Sequence, residues 1–409
     1  MTASAGPEGG PECRPRAAPR RSFPCLDGAR AIAASAVVLT HAGFWTGNYT
    51  PDLLGRVLNR AEVGIAIFFV LSGFLLSRPM FRAAAEGRAA PRAAAYLWRR
   101  GLRILPAYWL VVVAALLLLP GNAGATAGDW LRHLTMVQVY DGRFAEGLSH
   151  TWSLATEVAF YLVLPLLVAA LLRLAGRGVW RPGRVLALLG VVSAAGLAWV
   201  WWAPAVGGGA AELWLPAHLG WFAAGMSMAV VSVSDPQWAV ARRAHEIGAD
   251  LWTCWAAAAA LFLIAATPVT GPPGLAPSTP AEAVTGHLLY LGVGALLVWP
   301  LVFGDQRAGR ARRVLSSRPV VLLGEISYGL FLFHVLVLVA GYPALGMPEF
   351  SGDLVLVFAG TWLGGVLLGG LVYVLLERPM RRWRTVVPER PRSDSSETTT
   401  AESATTISV

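Results

Sequence analysis

Residues 354–376 run for 23 positions without a charged side chain, and long apolar stretches of the same kind recur along almost the whole chain. About 20 such residues are enough for a helix to cross the hydrocarbon core of a bilayer. Inside a bilayer every backbone N–H and C=O must be paired internally, and a continuous apolar run meets that demand as a helix. Ten such helices are predicted, over about 26–45, 62–79, 104–120, 152–173, 185–202, 214–233, 251–267, 285–303, 320–341 and 354–376. Composition agrees: 14% of the residues are charged and 56% are hydrophobic, where a soluble domain carries about 25% charge. The expected fold class is therefore all-α, a polytopic membrane protein with about ten transmembrane helices. Its domain is expected over 24–384, between polar tails at 1–23 and 385–409 that read as disordered.

The formal net charge is +9, and all 33 basic residues are Arg. They do not suggest nucleic acid, because they lie in short segments between apolar runs, which is the positive-inside pattern. Only Arg56, Arg60, Arg132 and Arg143 fall in the segments expected outside. Both termini are thus expected in the cytoplasm and the chain in the plasma membrane. Arg20-Arg21-Ser22-Phe23 faintly resembles a twin-arginine export signal, but many spans follow it and no small-residue cleavage site does. Cys13, Cys25 and Cys254 form neither a disulfide framework nor a metal-ligand spacing, so no metal is expected.

Against this apolar background the stretch "RAIAASAVVLTH" places Arg30 and His41 eleven residues apart, about 16 Å along one helix. Arg30 at the cytoplasmic interface is explained by snorkelling, with Asp27 at i−3 to pair with it. His41 lies beyond the midplane, where ionisable groups are uncommon and tend to be functional. Glu157, in "LSHTWSLATEVAFYLVLP", lies about 9 Å from the outer entrance of its helix, at a depth similar to that of His41. A carboxylate beside an imidazole would fix its tautomer and suit general-base attack by a hydroxyl. The competing reading is a local cap or hydrogen bond at the helix entrance. In "RRGLRILPAYW", Arg100 and Arg103 share a helix face and form a fork-shaped pair suited to phosphate; the plainer reading is anchoring to anionic headgroups. Phosphate-binding groups inside and a base toward the outside suit a donor with a charged head and a thin arm, the shape of acyl-CoA.

These segments together resemble the membrane acyltransferase family 3. "LDGARAIAASAVVLTH" is similar to its Arg-and-His signature, and "FFVLSGFLLS" to its second-helix signature. "RRGLRILPAYW" carries its Arg-x-x-Arg pair. "WSLATEVAFYLVLP" resembles its Ser-x-x-x-Glu-x-x-Phe-Tyr element, with Ser153, Glu157, Phe160 and Tyr161. "GEISYGLFLFHVLV" and "LLERPMRRW" resemble its last two helices. The resemblance covers about residues 25–384. It implies ten core helices and O-acyl transfer, commonly of acetyl, from cytoplasmic acyl-CoA to an acceptor often exposed outside. The implied acceptors include envelope polysaccharides, peptidoglycan, glycolipids and macrolides, and the fused extracytoplasmic domain of some members is not expected within these residues.

The resulting expectation is an integral-membrane O-acyltransferase with His41 and Glu157 catalytic, and Arg30, Arg100 and Arg103 holding the acyl-CoA. The expected acceptor is a glycolipid or polysaccharide of the envelope; a macrolide-type metabolite is the second enzyme reading. A multi-pass transporter or flippase is the alternative from another class. His334, Ser72 and Glu377 read as structural, the last in an inner-face ion pair. His133 and His150 read as solvated loop residues, Arg132 and Arg143 as groups that could meet an anionic acceptor, and His218, His245 and His287 as lacking partners.

Overall fold

The computed structural model describes residues 23–176, 178–274 and 276–388. The tails expected at either end lie almost wholly outside the described residues. The described chain is helical, with no strand among its elements. In chain order the helices are α1 (Cys25–Trp45), α2 (Leu53–Arg60), α3 (Gly64–Ala85), α4 (Ala93–Leu118), α5 (Ala127–Leu134), α6 (Gln138–Asp141), α7 (Trp152–Gly176), α8 (Pro182–Gly207), α9 (Leu215–Val233), α10 (Ala239–Ala249), α11 (Leu251–Ala265), α12 (Pro280–Phe303), α13 (Gly309–Leu315), α14 (Arg318–Ala344) and α15 (Leu354–Val372).

The protein is a multi-pass membrane protein. Among the described residues 8 helices are long and apolar enough to cross a membrane, or 9 when α10 and α11, bent by 84°, are taken as one span. α1 is the remaining candidate from the expected ten. Its 21 residues extend about 31 Å, but Asp27, Arg30 and His41 dilute its apolarity. It is also among the most buried helices, packed along α3, α14 and α15. A helix that spends its polar side chains on an interior site needs protein rather than lipid around it.

Sequence reading missed α10, placed in an expected loop, and began α4 too late. The arginines of "RRGLR" therefore lie on continuous helix, where i and i+3 share a face. The α10–α11 bend falls at Asp250, whose side chain caps α11 by accepting from the Thr253 N–H at 3.1 Å. Arg312 satisfies the free carbonyls of Gly248 and Ala249 at the end of α10, at 2.7 and 3.2 Å, as the end of a helix requires.

Close helix crossings set the positions of the interior side chains. A Cβ on Gly73 of α3 would lie 2.1 Å from the Phe222 carbonyl of α9, and one on Gly225 of α9 would lie 2.0 Å from the Val70 carbonyl of α3. Small residues on both sides let the backbones touch. A Cβ on Gly324 of α14 would lie 2.1 Å from the Asp27 carbonyl, so α1 and α14 meet near their N-terminal ends and run together from there.

The segment between α4 and α7 is folded. Thr126 and Asp129 form a capping box at the start of α5, and the Thr126 hydrogen bonds hold the Asp129 carboxyl below the usual carboxylate range. His133, expected to be solvated, is buried, with Nδ1 2.8 Å from the Asp129 carbonyl and Nε2 accepting from the Ala145 N–H at 3.0 Å. Arg132 is engaged by Asp129 at 2.6 Å and Asp141 at 2.9 Å. Both residues hold the loop together.

Candidate active site

Arg30 and His41 are eleven residues apart on α1, about three turns, so they emerge on nearly the same face. Around Arg30 the structure gathers the other two expected arginines. A cavity of about 290 Å³ is lined by Arg30, Ser72, Arg100, Arg103, Glu157 and Tyr161, among others. A second cavity of about 410 Å³ shares Arg30, Leu75 and Arg103 with the first, and adds Arg78, Arg381, Arg384 and Glu377. The two adjoin at these shared residues, and together they are in the size range of small-molecule sites. The Asp27 carboxylate holds Arg30 at 3.1 Å, the i−3 pair anticipated from the sequence. The Arg100 guanidinium lies 6.0 Å from the centre of the Tyr161 ring. Glu377, expected in an inner-face ion pair, lines the wall of the outer cavity near these arginines.

The expected pairing of His41 with Glu157 is replaced by two separate arrangements. Glu157 accepts a hydrogen bond from the Ser72 hydroxyl inside the arginine-lined cavity. Ser72, expected to be a packing residue, is therefore a cavity group. His41 instead lies in a cluster with His150 and His334. Ring centroids are 4.9 Å apart for His41–His334, 5.0 Å for His150–His334 and 6.3 Å for His41–His150. Depth explains the difference. The chain turns inside the protein before α7 begins, so it is His150, in the turn Ser149–Thr151, that reaches the level of His41. Glu157 is seven residues further on, about 10 Å deeper along the helix.

Backbone carbonyls set the proton positions in this cluster. A carbonyl can only accept, so the ring nitrogen facing it in a neutral imidazole carries the hydrogen. His41 Nδ1 donates to the Val37 carbonyl at 2.8 Å. His334 Nδ1 donates to the Phe331 carbonyl at 2.6 Å, which leaves His334 Nε2 as an acceptor 3.2 Å from His41 Nδ1. The His41 N–H is thus shared by two acceptors and its Nε2 keeps a lone pair. Both hydrogen bonds persist when Nε2 takes up a proton, so the ring is already oriented for general-base work. His150 donates from Nε2 to the Leu332 carbonyl at 3.1 Å, and its buried Nδ1 has no partner among the described residues.

The supporting role assigned from the sequence to Glu157 is therefore filled at His41 by Val37 and His334. His150 and His334, read as a solvated and a structural histidine, are both buried beside the candidate base. The sequence carries a faint signal for them: each lies in a motif-like stretch, "LSHTWSL" or "LFLFHVLV". Their meeting depends on α14 packing along α1 and on the turn Ser149–Thr151 bringing His150 to that same contact. Of the remaining histidines, His245 donates from Nδ1 to the Phe303 carbonyl at 2.8 Å and ties α10 to α12. His218 and His287 form a second cluster with Phe69, Trp152 and Trp221. Among the described residues no group of three His, Cys, Asp or Glu is placed to hold a metal.

A family model described as an acyltransferase domain matches residues 23–376. The peptidoglycan O-acetyltransferase OatA of Listeria monocytogenes is 27% identical over 171 residues, 38% of this chain and 25% of that protein. Nodulation protein 10 of Rhizobium leguminosarum bv. viciae is 28% identical over 211 residues, 44% of this chain and 50% of that protein. The O-acetyltransferase OatA of Staphylococcus aureus is 27% identical over 188 residues, 42% of this chain and 28% of that protein. The chain thus spans from about a quarter to half of the length of these relatives. No solved structure matches it.

Proposed function

The chain belongs to the acyltransferase family whose model spans it, and we propose that it moves an acetyl group from acyl-CoA at the cytoplasmic face to a hydroxyl of an envelope polysaccharide or glycolipid on the other side. The observation that carries this reading is the shape of the interior. Arg30 and the carbonyl-oriented His41 lie at opposite ends of one face of α1, and Arg100 and Arg103 of α4 join Arg30 around a cavity at the arginine end.

In this reading Arg30, Arg100 and Arg103 grip the phosphates of the donor at the cavity mouth, where planar guanidinium forks suit them. The pantetheine arm fills the cavity, with Glu157 and Ser72 available to its amides. His41 Nε2 takes the proton of the acceptor hydroxyl as the oxygen bonds to the thioester carbon. The carbon–sulfur bond then breaks, and the leaving CoA sulfur recovers that proton from His41. His334 acts through His41 and is a positioning residue. The relative named as a peptidoglycan O-acetyltransferase supports an envelope polysaccharide over a macrolide-type metabolite. Family membership displaces the transporter reading.

The test uses the full chain in lipid nanodiscs with labelled acetyl-CoA and envelope glycans. His41→Gln is expected to lower acetyl transfer about 100-fold or more while the folded protein still melts later in the presence of CoA. Arg100→Gln and Arg103→Gln are expected to raise KM for acetyl-CoA about tenfold or more each, the scale of one charged hydrogen bond. They should leave KM for acetyl-pantetheine, which lacks the nucleotide phosphates, nearly unchanged. Full transfer by folded His41→Gln would overturn the assignment.

A further inference from the structure

The arginine-lined cavity does not reach His41; it stops at two aromatic rings. Its lining at that end includes Ile65, Phe68 and Phe331. Phe68 projects from α3 and packs against Ala34 and Val38 of α1 and Leu330 of α14. Val38 lies one turn before His41 on α1. Phe331 projects from α14, with its ring centroid 6.3 Å from that of Phe68 at an interplanar angle of 66°, an edge-to-face pair. Phe331 also neighbours the histidines, with ring centroids 5.3 Å from His150 and 5.9 Å from His334. The two rings therefore separate the space available to a donor arm from the candidate base.

We propose that Phe68 and Phe331 set the length of the acyl group: the site takes a short-chain acyl thioester because the acyl end must lodge at or pass between these two rings. This inference rests on the donor and base assignments made above and adds the two residues that set the acyl length. The physical argument is packing. Protein interiors are close-packed, so a gap for each further methylene must be made by moving neighbours. Phe331 is nearly sealed, at 8% exposure, and its backbone holds His334, so it yields little. Phe68 is the freer of the two, and on it the geometry places most of the adjustment.

The experiment measures kcat/KM for acetyl-, butyryl- and octanoyl-CoA with the full chain in nanodiscs and one glycan acceptor. One misplaced methylene in an apolar pocket costs about tenfold or more, so octanoyl-CoA is expected at least about 100-fold below acetyl-CoA for the natural protein. Phe68→Ala is expected to narrow that ratio to under about tenfold, mainly by raising octanoyl transfer. Phe331→Leu keeps an apolar side chain beside the histidine cluster and should narrow it in the same direction. CoA-dependent thermal stabilisation, read from the arginine end, should be equal in all three proteins and shows that they are folded. Equal use of acetyl- and octanoyl-CoA by the natural protein, or an unchanged ratio in folded Phe68→Ala and Phe331→Leu, overturns the inference and leaves the proposed function standing. Absence of transfer from every acyl-CoA by the folded natural protein overturns both.

Discussion

The protein holds two histidine clusters, one next to Phe331, which pairs with Phe68 of α3, and the other against Phe69 of the same helix. In the first, His41, His150 and His334 each have one nitrogen on a backbone carbonyl, of Val37, Leu332 and Phe331 respectively. In the second, His218 and His287 stack with ring centroids 5.6 Å apart. There only His287 Nδ1 is held, 2.9 Å from the Ala283 carbonyl. Both nitrogens of His218 and Nε2 of His287 are sealed without a hydrogen-bond partner among the described residues. His218 instead touches the rings of Phe69, Trp152 and Trp221. His41 keeps a half-buried ring with an oriented lone pair. A buried imidazole becomes a base only when its proton is placed and its other nitrogen can be reached; ring density alone builds packing.

The largest expected contrast comes from removing the rings one at a time. His41→Gln should lower kcat about 10²–10⁴-fold, the usual share of a general base, measured by acetyl transfer in nanodiscs. A fall of similar size in His218→Gln would erase the distinction between the clusters. His334→Ala removes an acceptor from His41 Nδ1 and should lower kcat about tenfold with KM for acetyl-CoA unchanged; His334→Gln, which restores an acceptor, should recover part of that loss. A purely structural His334 would instead lower stability without this split between kcat and KM.

The next effect acts on both clusters together. Gly225→Ala forces a methyl group against the Val70 carbonyl and pushes α9 away from α3, the helix that carries Phe68 toward one cluster and Phe69 toward the other. A loss of about 1–3 kcal/mol is the usual scale for overpacking, measured as a lower thermal midpoint in detergent. The smallest effect is expected from His218→Phe. Replacing an unpartnered polar ring by an apolar one of similar shape is nearly neutral or stabilising, so activity should stay within about threefold and the melting temperature should not fall. A marked loss would show that a His218 nitrogen has a role in the reaction.

Much of this was legible without coordinates because it depends on properties local to one helix. Apolar runs marked the spans, and arginine-rich segments marked one end. The eleven-residue spacing put Arg30 and His41 on one face of α1, and the i, i+3 spacing put Arg100 and Arg103 on one face of α4. The inferences that failed joined different helices. Counting from the apparent entrance of the 152–173 helix put Glu157 level with His41, because the chain's inward turn at His150 leaves no mark in residue spacing. His133 and His150 read as solvated, and Arg132 as open to an anionic acceptor, because a polar loop and a folded one can share a composition.

The amino-acid sequence by itself determined that the chain is a helical membrane protein carrying cationic groups at one end and an isolated imidazole toward the other. Hydropathy and helical periodicity are summed along the chain and need no partner. Tertiary structure alone decided that His334 rather than Glu157 stands beside His41, that Glu157 joins Ser72 in the arginine-lined cavity, and that two phenylalanines stand between that cavity and the base. Those outcomes follow from how far each helix slides against its neighbours. That distance is set by glycine contacts such as Gly324 against Asp27 and Gly73 against Phe222, which one helix read alone does not contain.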